Sequence, residues 1–324
     1  MGAGNTLRVI VAFLLIKMVR VPWRIVERAL HKQLPVRDHY LIMRMFQLLF
    51  REYRVQVTYP NPVARSQDSM SLALNLCENN QLALFRMKQW YERDWIRAIS
   101  MAMDDAEAFI DIGANVGVFA VSIAQAHPNR QVVAIEPVPS NFAKLKDNAR
   151  LNNLSNLRCV QAAVSGGGES VTMYVNPVND GGGSIIEFDS YRTADILIDS
   201  SDYQRQHPEF VPSIDVPAIR LDDLITGKSV LKIDVEGAEV EVLESGMNAF
   251  KSGSVELMVV EVTGETVSAV TELLETAGFD CLVEGGKSLV TGSAHFNGRL
   301  GNIVCLKRDS ALRDLLLDKA AAIA

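Results

Sequence analysis

The stretch Asp111-Ile112-Gly113-Ala114-Asn115-Val116-Gly117 stands where a short apolar run, Ala108 to Asp111, gives way to a helical pattern reaching about Ala126. A strand, a glycine turn and a helix in that order open a parallel sheet covered by helices. Gly113 and Gly117 let the backbone come close to a ligand. The helix after the turn offers unpaired N–H groups that favour a carboxylate. Asp111, at the strand tip, offers an anion to a ligand cation. The turn therefore suits a ligand with both charges close together, such as the amino-acid end of S-adenosylmethionine.

Glu136 closes the next apolar run, Gln131 to Ile135, 25 residues after Asp111. An acid there can accept both hydroxyl protons of a ribose. Dinucleotide folds use the same logic. The glycine count separates the two. A pyrophosphate turn is G-x-G-x-x-G. Here only Gly113 and Gly117 are present, three residues lie between them, and the preceding Asp111 would repel a pyrophosphate. A methyl donor is favoured over a nicotinamide dinucleotide.

Outward from this turn the alternation continues. A helix is expected from Ser140, as N-cap, to Leu151. Further strands are expected at Leu157–Val164, Val171–Val175, Val230–Val235 and Glu256–Val262. Val240, Leu243, Met247 and Phe250 recur at helical spacing after the fourth sheet strand. Phe279–Val283 and Asn302–Lys307 follow without a clear helix between them and read as an antiparallel end to the sheet. Residues 176–212 are long, polar and irregular, and are expected to form an insertion or lid. The fold class is α/β: a Rossmann-like, mostly parallel, seven-stranded sheet with helices on both faces. The expected division is a basic, mostly helical extension over 1–107, the α/β domain over 108–308, and a C-terminal helix over 309–324.

Four motifs together resemble the FkbM-type class I methyltransferases. They are Asp111 to Gly117, Glu136-Pro137, Leu221-Asp222-Asp223-Leu224, and Leu231-Lys232-Ile233-Asp234-Val235-Glu236-Gly237-Ala238-Glu239. The likeness runs from about Ala108 to Lys307. It implies methyl transfer from S-adenosylmethionine, usually to oxygen, with acceptors in the family that include natural products and sugars. It also implies cofactor positions at Gly113, Ala114, Asn115, Gly117, Glu136, Pro137, Gln161 and Ala162, beside Asp111.

Lys232 to Glu239 can be read independently. Side chains alternate along a strand, so Lys232, Asp234 and, if extension continues, Glu236 face one way. A lysine inside a buried parallel strand calls for a paired anion, with Asp234, Glu236 or Glu261 as partner. Asp234 stands at a carboxyl end, where ligands bind in open α/β sheets. Asp234, Glu236 and Glu261 would form an acidic mouth. Glu239 falls in the first turn of a helix, where an acid complements the dipole.

Methyl transfer is an in-line displacement from a sulfonium, so the protein mainly aligns the reacting atoms. A hydroxyl acceptor must also lose a proton to a base. Asp234 is the first candidate and Glu236 the second, with His295 and His207 as alternatives. The carboxylates could instead hold Mg²⁺, which takes oxygen ligands; this is not favoured, because no pattern supporting such ligands is visible. The acceptor is expected to be a small molecule or glycan. Tyr91, Glu92, Asn179, Ser184 and Tyr203 are candidates for its pocket.

The chain has 324 residues, 48% of them hydrophobic, and a net charge of -7. That balance speaks against nucleic acid as partner. The first 54 residues nevertheless hold ten Lys or Arg against three acids. Val9 to Ile16 is apolar, Lys17 interrupts it, and Pro22 ends it; ~20 apolar residues are wanted for a span. Two readings for residues 7–20 stand ahead of a third, a true signal or span. One is a basic, apolar helix on an anionic membrane surface; the other is a helix packed on the body or on a second subunit, as in a homodimer. Cys77, Cys159, Cys281 and Cys305 form no C-x-x-C pair and are expected as reduced thiols in a cytoplasmic protein. A catalytically inactive scaffold that keeps the fold is the main alternative to an enzyme.

Overall fold

The computed structural model describes residues 54–63, 68–87, 92–175, 183–186, 213–284, 289–291, 296, 300–310 and 312. Its contacts divide the chain into two compact units, Met1–Tyr59 with Leu72–Tyr91, and Pro60–Ser71 with Glu92–Ala324. The apolar run at 9–16, most of the 176–212 segment and the expected C-terminal helix fall outside the described residues. No described helix is long and apolar enough to cross a membrane.

The first unit contains most of two paired strands, β1 (Arg54–Pro60) and β2 (Ser69–Asn75), followed by helix α1 (Asn79–Met87). Leu72, Leu74, Leu82 and Phe85 are buried in it. The Tyr59 hydroxyl donates to Leu84 O at 3.1 Å. The expected helical extension therefore contains strands here. β1 alternates exposed and half-buried residues over most of its length, with Val55, Val57 and Tyr59 on the covered side.

The second unit begins ahead of the expected boundary at 108, since helix α2 (Arg93–Ala102) belongs to it. Its main sheet comprises β3 (Ala108–Ile112), β4 (Gln131–Ile135), β5 (Leu157–Val160), β9 (Ser229–Ile233), β10 (Val255–Thr263), β11 (Phe279–Glu284), β12 (Leu289–Thr291) and β13 (Leu300–Lys307). The order is β12-β11-β13-β10-β9-β3-β4-β5. β5, β4, β3, β9 and β10 run parallel, and β13 inserts antiparallel between β10 and β11. The Rossmann-like class holds; the short edge strand β12 makes the sheet eight-stranded rather than seven-stranded.

Strand alternation explains why both faces are covered. Ile110, Ile112, Leu231, Ile233, Met258 and Val260 share one core with Val242, Leu243, Val267 and Val270. Those last four lie on helices α6 (Glu239–Glu244) and α8 (Val267–Thr276). The intervening Asp111 and Lys232 meet helix α3 (Val118–Ala126) on the other face.

Four local expectations change. The run 157–164 is two strands, because the chain leaves β5 at Gln161 and pairs as β6 (Ala163–Val164) with β8 (Ser213–Ile219), which also takes β7 (Ser170–Tyr174). Helix α4 (Pro139–Leu151) has Val138 as its N-cap, with proline in its first turn, so Ser140 is not the cap. The helix after β9 breaks into α6 and α7 (Met247–Lys251) at Ser245-Gly246, where a side chain on Gly246 would meet Leu221. Finally, Cys281 and Cys305 are register partners of β11 and β13 and are joined as a disulfide, not held as reduced thiols. That pairing depends on an antiparallel register, which residue spacing does not reveal. Cys77 and Cys159 form no disulfide.

Candidate active site

The chain order reverses between β3 and β9, and at such a switch point the crevice beyond the carboxyl ends of the strands takes ligands. The turn after β3 is built for close approach. Gly113 and Ala114 donate their N–H groups to Ile135 O at 3.0 and 2.9 Å, which ties the turn to β4. Gly113 has φ +79° and Gly117 φ +90°. A side chain at Gly113 would collide with the Asp234 carbonyl, so glycine is required both by angle and by space. Asp234 N donates to Ile112 O at 3.0 Å, keeping the turn after β9 against the turn after β3.

Glu136, 4% exposed, spans the top of this turn. Its Oε2 accepts from Asn115 N at 2.8 Å and its Oε1 from Val138 N at 2.9 Å. A carboxylate has about four acceptor sites on its two oxygens, so it can accept from backbone N–H groups and ligand hydroxyls together. Asn115 lies in the left-handed region at φ 49°, and its Oδ1 is buried without a hydrogen-bond partner among the described residues. Ala114, Pro137 and Ala162 are buried, and Gln161 is half-buried at the break between β5 and β6. The expected cofactor positions thus gather around the tips of β3, β4 and β5.

Asp111 has a different task from the one expected. It is 2% exposed, and its Oδ2 accepts from Ala120 N at 3.0 Å in the first turn of α3. Burial pushes its carboxyl up to about 7, against the pull of Lys232 and of the Ala120 N–H. It holds the start of α3 from beneath the turn rather than presenting an open anion to a ligand.

Lys232 lies beside Asp111 in the register of β9 and β3. The side chain is buried, with Nζ 2.9 Å from Asp234 Oδ2 and 5.1 Å from the centroid of the Phe119 ring. Burial opposes its charge, but Asp234, then Glu92, Glu261 and Asp111, outweigh it and keep the ammonium protonated beyond its usual range. Asp234 answers in kind. Burial works against its anion, yet Lys232 and hydrogen bonds from Glu261 and Lys232 hold it below the usual carboxylate range.

Asp234, Glu236 and Glu261 bring one oxygen each within 4.8 Å of one another. Glu236 adopts φ 53°, and Gly237, at φ 99°, completes the turn into α6. Glu239 is buried at the start of α6; its Oε1 accepts from Gly237 N at 2.8 Å, and burial pushes its carboxyl up to about 7. As a Mg²⁺ site the trio fits poorly, because the Lys232 ammonium already supplies the counter-charge at hydrogen-bond distance from Asp234.

Of the other candidates, Glu92 stays beside this group and Ser184 separates from it. Glu92 accepts from Asn302 Nδ2 at 3.3 Å, and Asn302 is the register partner of Glu261. Ser184 is buried in a bridge to Tyr174 and accepts from Ile186 N, a structural role. Asp222 accepts from Ala249 N at 2.9 Å and Asn248 Nδ2 at 2.7 Å, so the Leu221–Leu224 motif, which forms helix α5, anchors α7. His295, His207, Tyr91, Asn179 and Tyr203 lie outside the described residues. Asn302 and Phe119 were missed from sequence. Asn302 gives no signal without the β13 register, whereas Phe119 could have been placed one helical turn behind the glycine turn.

Against known proteins, residues 111–281 match the Methyltransferase FkbM domain. The chain is 26% identical over 189 residues to Methyltransferase 1 of Beauveria bassiana, covering 56% of this chain and 75% of that protein. It is 29% identical over 195 residues to the 31-O-demethyl-FK506 methyltransferase FkbM of Streptomyces tacrolimicus, covering 55% and 74%. It is 29% identical over 189 residues to the hexuronic acid methyltransferase AglP of Haloferax volcanii, covering 57% and 69%.

Proposed function

The chain belongs to the FkbM methyltransferase family, and from that premise we propose that it moves a methyl group from S-adenosylmethionine to a hydroxyl oxygen of a small-molecule or sugar acceptor. The observation that carries this reading is Glu136 at the tip of β4, with one oxygen held to the glycine turn by Asn115 N and the other held at the start of α4 by Val138 N. This carboxylate takes the ribose hydroxyls. The backbone N–H groups at the start of α3 take the donor carboxylate. The Asn115 side-chain oxygen, buried without a protein partner, is suited to a donor N–H. Asp111 supports these contacts from below.

Hydroxyl acceptors are favoured by two things. The mouth beside the donor turn is lined by the oxygen acceptors Asp234, Glu236 and Glu261, which suit hydroxyl hydrogens. The names of two relatives give an O-demethyl compound and a hexuronic acid as substrates, both hydroxyl-bearing. The protein aligns oxygen, carbon and sulfur in line, and a carboxylate takes the proton. The experiment is transfer of labelled methyl from S-adenosylmethionine into an extract of the source organism, with mass analysis of the product. A product methylated on oxygen supports the reading; one methylated on nitrogen or carbon opposes it.

A further inference from the structure

The two carboxylates at the tips of β9 and β10 are not equivalent. Asp234 already has a cation, since its Oδ2 is 2.9 Å from Lys232 Nζ. That ammonium cannot drift away, for it is buried against the Phe119 ring. An anion so paired gains little by taking a proton. Glu261, on the neighbouring strand, has no Lys or Arg at ion-pair distance among the described residues. Its cross-strand neighbour on β13 is the uncharged Asn302. Its carboxyl is half-buried at the strand tip, within 4.8 Å of the Asp234 and Glu236 oxygens. Asp234 itself abuts the donor turn at Gly113.

We propose that Glu261 is the group that receives the acceptor's proton, and that Asp234, kept anionic by Lys232, is the positioning residue that aims it. The inference rests on the hydroxyl-methylation reading above and adds the identity of the base, for which sequence alone put Asp234 first. In the step, Glu261 starts ionised, having given to solvent the proton it shares with Asp234; the acceptor O–H bond then breaks and its proton passes to the Glu261 carboxylate. The oxygen's electron pair forms the O–CH₃ bond. The S–CH₃ pair stays on sulfur, so a sulfonium becomes a neutral thioether. Glu261 then returns its proton to solvent.

The charges around the pair agree with this division. They are Lys232, Asp234 and Glu236 from β9 and the turn after it, Glu92 from the start of α2, and Glu239 from α6. Burial pushes the Glu261 carboxyl well above its usual range; repulsion from Asp234 adds to this and Lys232 opposes it. A base works best when it titrates near the operating pH, and of the two carboxylates only Glu261 is moved in that direction.

The test is a ¹³C titration of the full chain labelled at its Asp and Glu carboxyl carbons, with signals assigned by Glu261→Gln and Asp234→Asn. Glu261 is expected to titrate above the ordinary glutamate range and Asp234 below the ordinary aspartate range. The reverse order, or a Mg²⁺-dependent shift of both signals, overturns the proposal. A second readout uses labelled S-adenosylmethionine and source extract. Glu261→Gln should slow transfer by about 100-fold or more and remove the rise of rate with pH, while donor affinity by calorimetry stays within about 2-fold of wild type. Unchanged transfer with the wild-type pH profile also overturns it. If the wild type binds no donor, the donor reading fails separately; the order of the two titrations is read without donor and still decides the inference.

Discussion

Glu136 Oε2 accepts a hydrogen bond of 2.8 Å from the backbone N–H of Asn115, so the acid at the tip of β4 and the strained residue of the β3 turn form one rigid unit. The register of β3 on β4 brings them together, with Ile112 beside Ile135. A ligand entering this crevice meets an acceptor pair that is already oriented. Preorganisation of that kind raises affinity by sparing the ordering cost at binding.

The tight contact between the two turns gives a first prediction. Gly113→Ala forces a side chain into the Asp234 carbonyl at φ +79°. It should cost at least about 2 kcal/mol of stability, from strain and displaced backbone. Gly167→Ala is the control, since nothing lies within 4 Å of its added carbon. Thermal unfolding of the two variants should show a lower midpoint for the first only.

Lys232 and Asp234 should be strongly coupled. Lys232→Met leaves the Asp234 anion without its cation in a setting where its side chain is 29% exposed. The expected cost is about 2–4 kcal/mol, at the lower part of the range for breaking buried pairs because of that exposure. Adding Asp234→Asn should restore part of the loss. Denaturant unfolding of the four proteins in the cycle gives the coupling, and additive losses would contradict the pairing.

Glu239 predicts a pH dependence with a definite sign. Its carboxyl titrates at about 7 in the folded protein because of burial. The unfolded value is about 4.3. Between the two, the folded state binds more protons, so this contribution is full below about pH 4 and is lost as pH rises through about 7. Glu239→Gln removes the penalty of ionising a buried acid. Relative to wild type, the variant should gain about 2–3 kcal/mol on going from pH 5 to pH 8, measured by urea unfolding at both. A constant difference would show that Glu239 is not the group responsible.

The Cys281–Cys305 pair can be counted directly. The four cysteines of the chain comprise this disulfide and Cys77 and Cys159, which form none. Denatured protein should therefore give two reactive thiols before reduction and four after. Closing a loop of 24 residues between them stabilises by about 3 kcal/mol in the chain-entropy picture. Four thiols without reductant would return these residues to the reduced state expected from sequence.

Much of the α/β unit was legible because its signals are local. The apolar runs at 108–112 and 131–135 are strands buried on nearly all sides, and Gly113 and Gly117 can be read as a turn from their spacing alone. Glu136 was found by its place at a strand end. Asp111 is legible as an acid near a strand tip, but its bond to Ala120 N is not, since that depends on the angle at which α3 leaves the turn. Lys232 was recognised as needing an anion, and the structure selects Asp234. What remained hidden is non-local. The split at Gln161, the second sheet of β6, β7 and β8, and the Cys281–Cys305 and Glu261–Asn302 pairings all arise from strands distant in sequence. The β1–β2 pair is local by contrast: Val55, Val57 and Tyr59 alternate with Arg54, Gln56 and Thr58, and Met70, Leu72 and Leu74 recur at period two, so the alternation that marks a strand is present in both.

Donor binding tests the central claim most directly. Calorimetric titration of S-adenosylmethionine into wild type and into Glu136→Gln should show one site in the wild type and an affinity about 10–100-fold weaker in the variant. That is the loss expected for charge-assisted hydrogen bonds to the ribose. The thermal midpoint of the variant should also fall, because its amide nitrogen replaces an acceptor and leaves the N–H of Asn115 or Val138 without its partner, at a cost of about 1–3 kcal/mol. Equal affinity in the two proteins, or no heat of binding in the wild type, would contradict the account.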